Sequence, residues 1–178
     1  SAKNRKIQTN IQESCQKNDS FVFEKVAYIY SSLEADDPLE SAKKAAAQEI
    51  SYEKIAKETK KSWHDFWSEH RVVVNSQNAF DQLALDFACY HLQIMTPDDS
   101  QFSVAAKGLT GEGYKGHVFW DTEIFILPFF LHNEPDTAKK LLKYRFFRLA
   151  GAKEKARQNN YRGALFPWES ALTGYEET

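Results

Sequence analysis

Two short stretches set a tryptophan beside an acid: Phe119-Trp120-Asp121-Thr122-Glu123 and Pro167-Trp168-Glu169. That pairing suits a hexose. A sugar presents apolar C–H faces and a rim of hydroxyls, so its site wants an aromatic plate to stack on and a carboxylate to accept hydroxyl hydrogen bonds. Trp120, Asp121, Trp168 and Glu169 are therefore the candidate substrate-binding residues. The same residues have a plainer explanation, in which both tryptophans are core residues and both acids sit in the first turns of helices, where they complement the dipole. One demand separates the two: for a sugar, the indoles must lie near each other beside an opening, not deep in solid packing.

Gly111-Glu112-Gly113-Tyr114-Lys115-Gly116 satisfies G-x-G-x-x-G, and a dinucleotide pyrophosphate could rest on such glycine amides at a helix start. Gly111, Gly113 and Gly116 thus define an alternative, a dinucleotide-binding enzyme. A true fingerprint follows an apolar strand directly. This one follows Asp98-Asp99-Ser100-Gln101 and a mixed segment from Phe102 to Lys107, a short strand at best. Glycine serves equally well where backbone turns with positive φ or presses against a ligand at the edge of a cleft. His64, Asp65, Glu69 and His70 crowd one helical stretch, but the two histidines fall on nearly opposite sides of a helix, so no metal site is expected. His91, on an apolar stripe, reads as a hydrogen-bonded core histidine. Lys139, Lys140, Lys143, Arg145 and Arg148 read as a wet helix face or a contact with further chain, since they lack the aromatic interleaving of a strand-binding groove.

The elements that must position these groups come from 178 residues, 42% apolar and 27% charged, enough to bury a core. The net charge of -2, from 23 basic and 25 acidic residues, gives no field to gather nucleic acid or anionic lipid. The longest apolar run, 118–131, is too short and too polar to cross a bilayer. Cys15 and Cys89 fit neither a disulfide framework nor a zinc knuckle and read as free thiols of a cytoplasmic protein. A chain that begins at Ser1 and not Met reads as processed or cut from something longer.

Residues 21–32, rich in β-branched and aromatic types, predict a strand. Asp37, Pro38 and Glu40 predict a helix start, and the apolar spacing carries that helix to about Glu69, with one break allowed. Phe80, Leu83, Ala84, Phe87, Ala88, His91 and Leu92 trace a second helix, ended near Met95 by Pro97. A glycine-bearing loop leads to 118–131, which reads as a buried helix. Asn133 is placed to cap a further helix striped by Ala138, Leu141, Leu142, Arg145 and Leu149 and ending near Asn159. Helices thus alternate with long loops that carry aromatics and acids.

The run GLTGEGYKGHVFWDTEIFILPFF from Gly108 to Phe130, with Tyr161-Arg162-Gly163-Ala164 and Phe166-Pro167-Trp168-Glu169-Ser170-Ala171, resembles family 65 of the glycoside hydrolases. That family contains inverting maltose, trehalose and kojibiose phosphorylases. The resemblance implies a mainly α fold: the end of a β-sandwich domain over 1–35, a helical linker over 36–74, and the start of an (α/α)6 catalytic barrel over 75–178. It implies Trp120 and Asp121 as donor-glucose contacts and Trp168 and Glu169 near the acceptor sugar. It places the general-acid glutamate downstream of Thr178, so no catalytic residue is named, and the segment alone is expected to be inactive. Inorganic phosphate is the implied co-substrate, with no cofactor and no metal. The expected activity is that of a glycosyltransferase-type phosphorylase, turning maltose and phosphate into β-glucose 1-phosphate and glucose, in a homodimer. Trehalose or kojibiose phosphorylase, or a hydrolase of the same family, is the alternative within the family. Outside it stand the dinucleotide enzyme and a non-catalytic helical sugar-binding module.

Overall fold

The computed structural model describes residues 2–3, 6–48, 50–108, 110–111 and 113–178. The chain divides into two compact units, 1–62 and 63–178. In the first, strand β1 (Ala2–Lys3) pairs antiparallel with β2 (Lys6–Ile7). None of residues 21–32 lies in a strand, against expectation. Phe21, Val22, Phe23 and Ile29 are exposed, and β-propensity is worth little without a neighbouring strand and a packed face.

Helix α1 (Pro38–Ala46) starts where the sequence places it: the Asp37 side chain accepts from the Glu40 backbone N–H at 3.0 Å, with Pro38 at its first position. The expected break follows. Helix α2 (Tyr52–His70) begins afresh after Ser51, whose hydroxyl accepts from the Lys54 N–H at 3.3 Å.

In the second unit, helix α3 (Ala79–Met95) is capped by Asn78, whose side chain accepts from the Phe80 N–H. It stops because Pro97 holds Thr96 extended. Arg71 grips Asp86 through two nitrogens at 3.1 and 2.6 Å, which fastens the segment after α2 along α3. His91 packs at the edge of Phe87, ring centres 4.4 Å apart.

The stretch 118–131 is not one buried helix. It opens as strand β3 (Val118–Phe119), widens into a π-turn over Thr122–Ile126, and only then becomes helix α4 (Leu127–Asn133). Pro128 explains the restart, since it brings no N–H to a continuing helix and suits a first turn. Val118, Phe119 and Phe130 are buried while Ile124, Phe125 and Leu131 are exposed. Asn133 ends α4 and caps nothing; Glu134 occupies the cap of α5 (Pro135–Phe147), followed by Pro135. The helix expected to run on to Asn159 is broken at Arg148, and α6 (Leu149–Gln158) follows. Strand β4 (Glu169–Ser170) follows, and the last residues turn back so that Glu176 bridges Ser170. Val104, Phe130, Ala138 and Leu141 form the core, with Leu92, Met95 and Leu127 against it.

The basic cluster is not a wet face throughout. Arg145 is buried and forks onto Glu123, both contacts at 2.9 Å. Arg148 is only 8% exposed, lies over the Tyr144 ring at 3.8 Å, and donates to the carbonyls of Gln101, Tyr144 and Ala171.

Candidate functional site

The glycine run folds into a single 3-10 turn, Gly113–Gly116, in which Tyr114 and Lys115 adopt φ of 60° and 53°. Leu109 and Glu112 of this run lie outside the described residues. Among the described residues the neighbouring strand, β3, follows the glycines, and 102–107 forms no strand. A dinucleotide fingerprint needs the opposite order, strand before glycines and a helix after them. The dinucleotide reading therefore has no scaffold.

The turn delivers the chain into β3, and β3 pairs antiparallel with β4: Val118 faces Ser170 and Phe119 faces Glu169. Those two rungs join the two tryptophan–acid motifs. Trp120 and Trp168 meet edge to face with ring centres 5.5 Å apart, and Phe119 contacts Trp168 at 5.8 Å. The Trp120 indole N–H donates to the Pro167 carbonyl at 2.7 Å. Trp120 and Trp168 remain 38% and 48% exposed, while Phe119 and Pro167 beside them are buried. The core role falls to those neighbours, and the two indoles lie in contact with each other and partly exposed.

The acids do not behave as helix caps. Glu169 is a strand residue, and its Oε1 lies 2.7 Å from His117 Nδ1, both side chains less than a fifth exposed. Asp121 precedes the π-turn, makes no side-chain cap hydrogen bond, and is exposed. Glu123, by contrast, is committed to Arg145. Trp120 also walls an apolar groove of about 570 Å³ with Ile124, Leu142, Phe146 and Phe166, which Asp121, Trp168 and Glu169 do not line.

Behind the wall, side chains from α5 and α6 hold β4 in place. Tyr144 hydroxyl meets Ser170 Oγ at 2.9 Å and donates to the Ala171 carbonyl. Glu176 accepts from the backbone N–H groups of Trp168 and Glu169 at 3.0 and 2.9 Å and ion-pairs with Lys155. Burial raises the Glu176 pKa, but Lys155, the two amides and Thr178 outweigh it and hold the carboxyl at about 2. Burial likewise lowers the Arg148 pKa. His117, Tyr144, Arg148 and Glu176 carry no signal in the sequence as parts of a site, because each finds its partners far along the chain or on the backbone. Among the described residues no group of three or more potential metal ligands forms.

Residues 86–178 match the family model for the glycosyl hydrolase family 65 central catalytic domain. A kojibiose phosphorylase of Escherichia coli (strain K12) is 57% identical over 129 residues, 72% of this chain and 17% of its own length. A nigerose phosphorylase of Lachnoclostridium phytofermentans is 40% identical over 86% of this chain, and a trehalose 6-phosphate phosphorylase of Lactococcus lactis is 39% identical over 94%. A solved structure of a human-microbiome protein named for kojibiose phosphorylase superposes with a TM-score of 0.67 at 30% identity, covering 80% of this chain and 21% of that one. The chain spans 17–22% of the length of these curated relatives.

Proposed function

The chain belongs to glycosyl hydrolase family 65, and from that premise we propose that it is part of an inverting phosphorylase of an α-linked glucose disaccharide, with kojibiose as the first substrate to try. Maltose, the substrate expected from the sequence, gives way because two kojibiose phosphorylases are 57% and 59% identical to the chain, against 40% and 39% for the nigerose and trehalose 6-phosphate phosphorylases. The coarse reading, a mainly helical piece of a family catalytic domain, rests on the family match and the superposition. The finer division is part of the proposal: 1–35 as the end of a β-sandwich, 36–74 as a linker, 75–178 as the opening of the (α/α)6 barrel. So are the homodimer and the cytoplasmic location. No helix among the described residues is long and apolar enough to cross a membrane.

In the proposed reaction a phosphate oxygen attacks the anomeric carbon from the face opposite the glycosidic bond. That bond breaks, the leaving oxygen takes a proton from an acid supplied outside this segment, and β-glucose 1-phosphate and glucose result. Phosphate is already an anionic nucleophile, so no second carboxylate is needed to activate water. Inorganic phosphate is thus the co-substrate, and the reaction asks for no cofactor. Trp120 stacks on the donor glucose and Asp121 accepts from its hydroxyls; Trp168 and Glu169 do the same for the acceptor. The observation that carries this assignment is the β3–β4 pairing, which brings both tryptophan–acid pairs to one wall with both indoles open.

The test is phosphorolysis by the full-length gene product, offered kojibiose, nigerose, trehalose and maltose in turn. We expect phosphate-dependent release of β-glucose 1-phosphate, fastest from kojibiose, and a loss in kcat/KM of roughly tenfold or more in Asp121→Ala, which forfeits a charge-assisted hydrogen bond. Glucose release that ignores phosphate would make the protein a hydrolase; cleavage of none of the four would overturn the proposal.

A further inference from the structure

The carboxylate of Glu169 is held from two sides by groups that the reaction itself does not employ. Its backbone is fixed in β4 by the rung to Phe119 and by the Glu176 carboxylate. Its side chain is fixed by one contact, Oε1 to His117 Nδ1 at 2.7 Å, across 52 positions of sequence. With the hydrogen on Nδ1, the imidazole donates it to the Glu169 carboxylate oxygen.

His117 is itself set rigidly. Its N–H donates to the Tyr114 carbonyl at 2.8 Å, and its carbonyl accepts from the Ala106 N–H at 3.1 Å. The turn that makes this possible holds two non-glycine residues, Tyr114 and Lys115, at positive φ. Such backbone is unfavourable by itself and persists where surrounding contacts impose it. Here its effect is to turn the imidazole onto Glu169.

We propose that His117 is the positioning residue of the acceptor site: by occupying Oε1 it fixes the plane of the Glu169 carboxylate and leaves Oε2 to accept a hydroxyl of the acceptor sugar, beside the Trp168 ring. This rests on the assignment of Glu169 to acceptor binding. An unheld carboxylate would rotate, so acceptor affinity would fall while the reacting bond, further off, would be less affected.

Steady-state kinetics of the full-length gene product in the synthetic direction, with β-glucose 1-phosphate and glucose, tests it. His117→Ala should raise the KM for glucose roughly tenfold or more, with kcat changed much less. His117→Asn, whose amide nitrogen can stand where Nδ1 stood, should recover most of that loss, and His117→Gln, whose donor reaches further, should not. In a Glu169→Ala background, His117→Ala should add nothing. Equal kinetics for the Asn and Gln variants, or full additivity with Glu169→Ala, would overturn the proposal, and the Asn–Gln comparison stands even if the Ala variant folds poorly. Should Glu169→Ala alone leave the glucose KM untouched, the acceptor-site assignment fails instead.

Discussion

Glu176→Gln isolates the device that shapes the wall from behind. The carboxylate takes two successive amides, Trp168 on Oε2 and Glu169 on Oε1, and Lys155 pairs with Oε2. Glutamine keeps the shape, but its single oxygen can serve only one of the amides, and its NH2 then faces the other amide and Lys155. The pKa held at about 2 against 4.5 for a free carboxyl sets a ceiling of about 3 kcal/mol on what the charge contributes. The side chain is 24% exposed, and water weakens the pairing, so about 2 kcal/mol is the working value, close to one charge-assisted hydrogen bond. Hydrogen exchange of the full-length protein, followed by mass spectrometry over a peptide covering 165–171, reads this locally. Loss of about 2 kcal/mol corresponds to exchange about 30-fold faster at Trp168 and Glu169. The folded pKa is lower than the unfolded one, so the stabilisation is fully present above about pH 4.5 and fades as pH falls toward about 2. After correction for intrinsic rates, the gap between wild type and variant should shrink over that window. Unchanged exchange at 168–169, or equal acceleration in the α5 core around Leu141, would refute the local clamp.

Two further substitutions probe the same support. Arg148→Met should lower the thermal midpoint of the full-length protein by an amount corresponding to about 3–5 kcal/mol, because three carbonyls lose their donor together; Arg148→Lys should recover only part, and a midpoint within a degree or so of wild type for Met would contradict it. Gly174→Ala should destabilise by about 2 kcal/mol or more, since φ is +76° and a Cβ would lie 2.5 Å from Arg148 Cβ; urea unfolding monitored by the tryptophans reads it, and an unchanged midpoint would mean that the close approach is relieved at no cost.

What was legible in the sequence is what depends on near neighbours. Asp37 with Pro38 and Glu40, and Pro97 after Met95, fix helix ends by chemistry within a turn, and each boundary lies where it was expected. The tryptophan–acid pairs stand out by residue type alone, and the structure brings the two indoles into contact. What was illegible depends on partners far away. A β3–β4 ladder of two rungs has no periodicity to detect, yet it joins positions about fifty residues apart. The strand expected at 21–32 failed for the converse reason: its composition suits a sheet, but among the described residues no strand pairs with it. Arg145 and Arg148 looked like surface because arginine usually is. Glu123 and the ring of Tyr144 make their burial tolerable, and nothing in the local pattern of α5 says so.

A ladder this short holds its register weakly, since among the described residues it has two rungs and only the Ser170–Glu176 bridge beside them. Support for the register comes from side chains that hold β4 and its flanking residues: Glu176 at the amides of 168 and 169, Tyr144 at the Ser170 hydroxyl and the Ala171 carbonyl, Arg148 again at Ala171. A slip of one residue would exchange the faces of Trp168 and Glu169 and separate Glu169 from His117. The helical scaffold therefore does more than enclose the wall. Through the buried Arg148, Tyr144 and the Lys155 that pairs with Glu176, it helps set which face of a two-residue strand carries Trp168 and which carries Glu169.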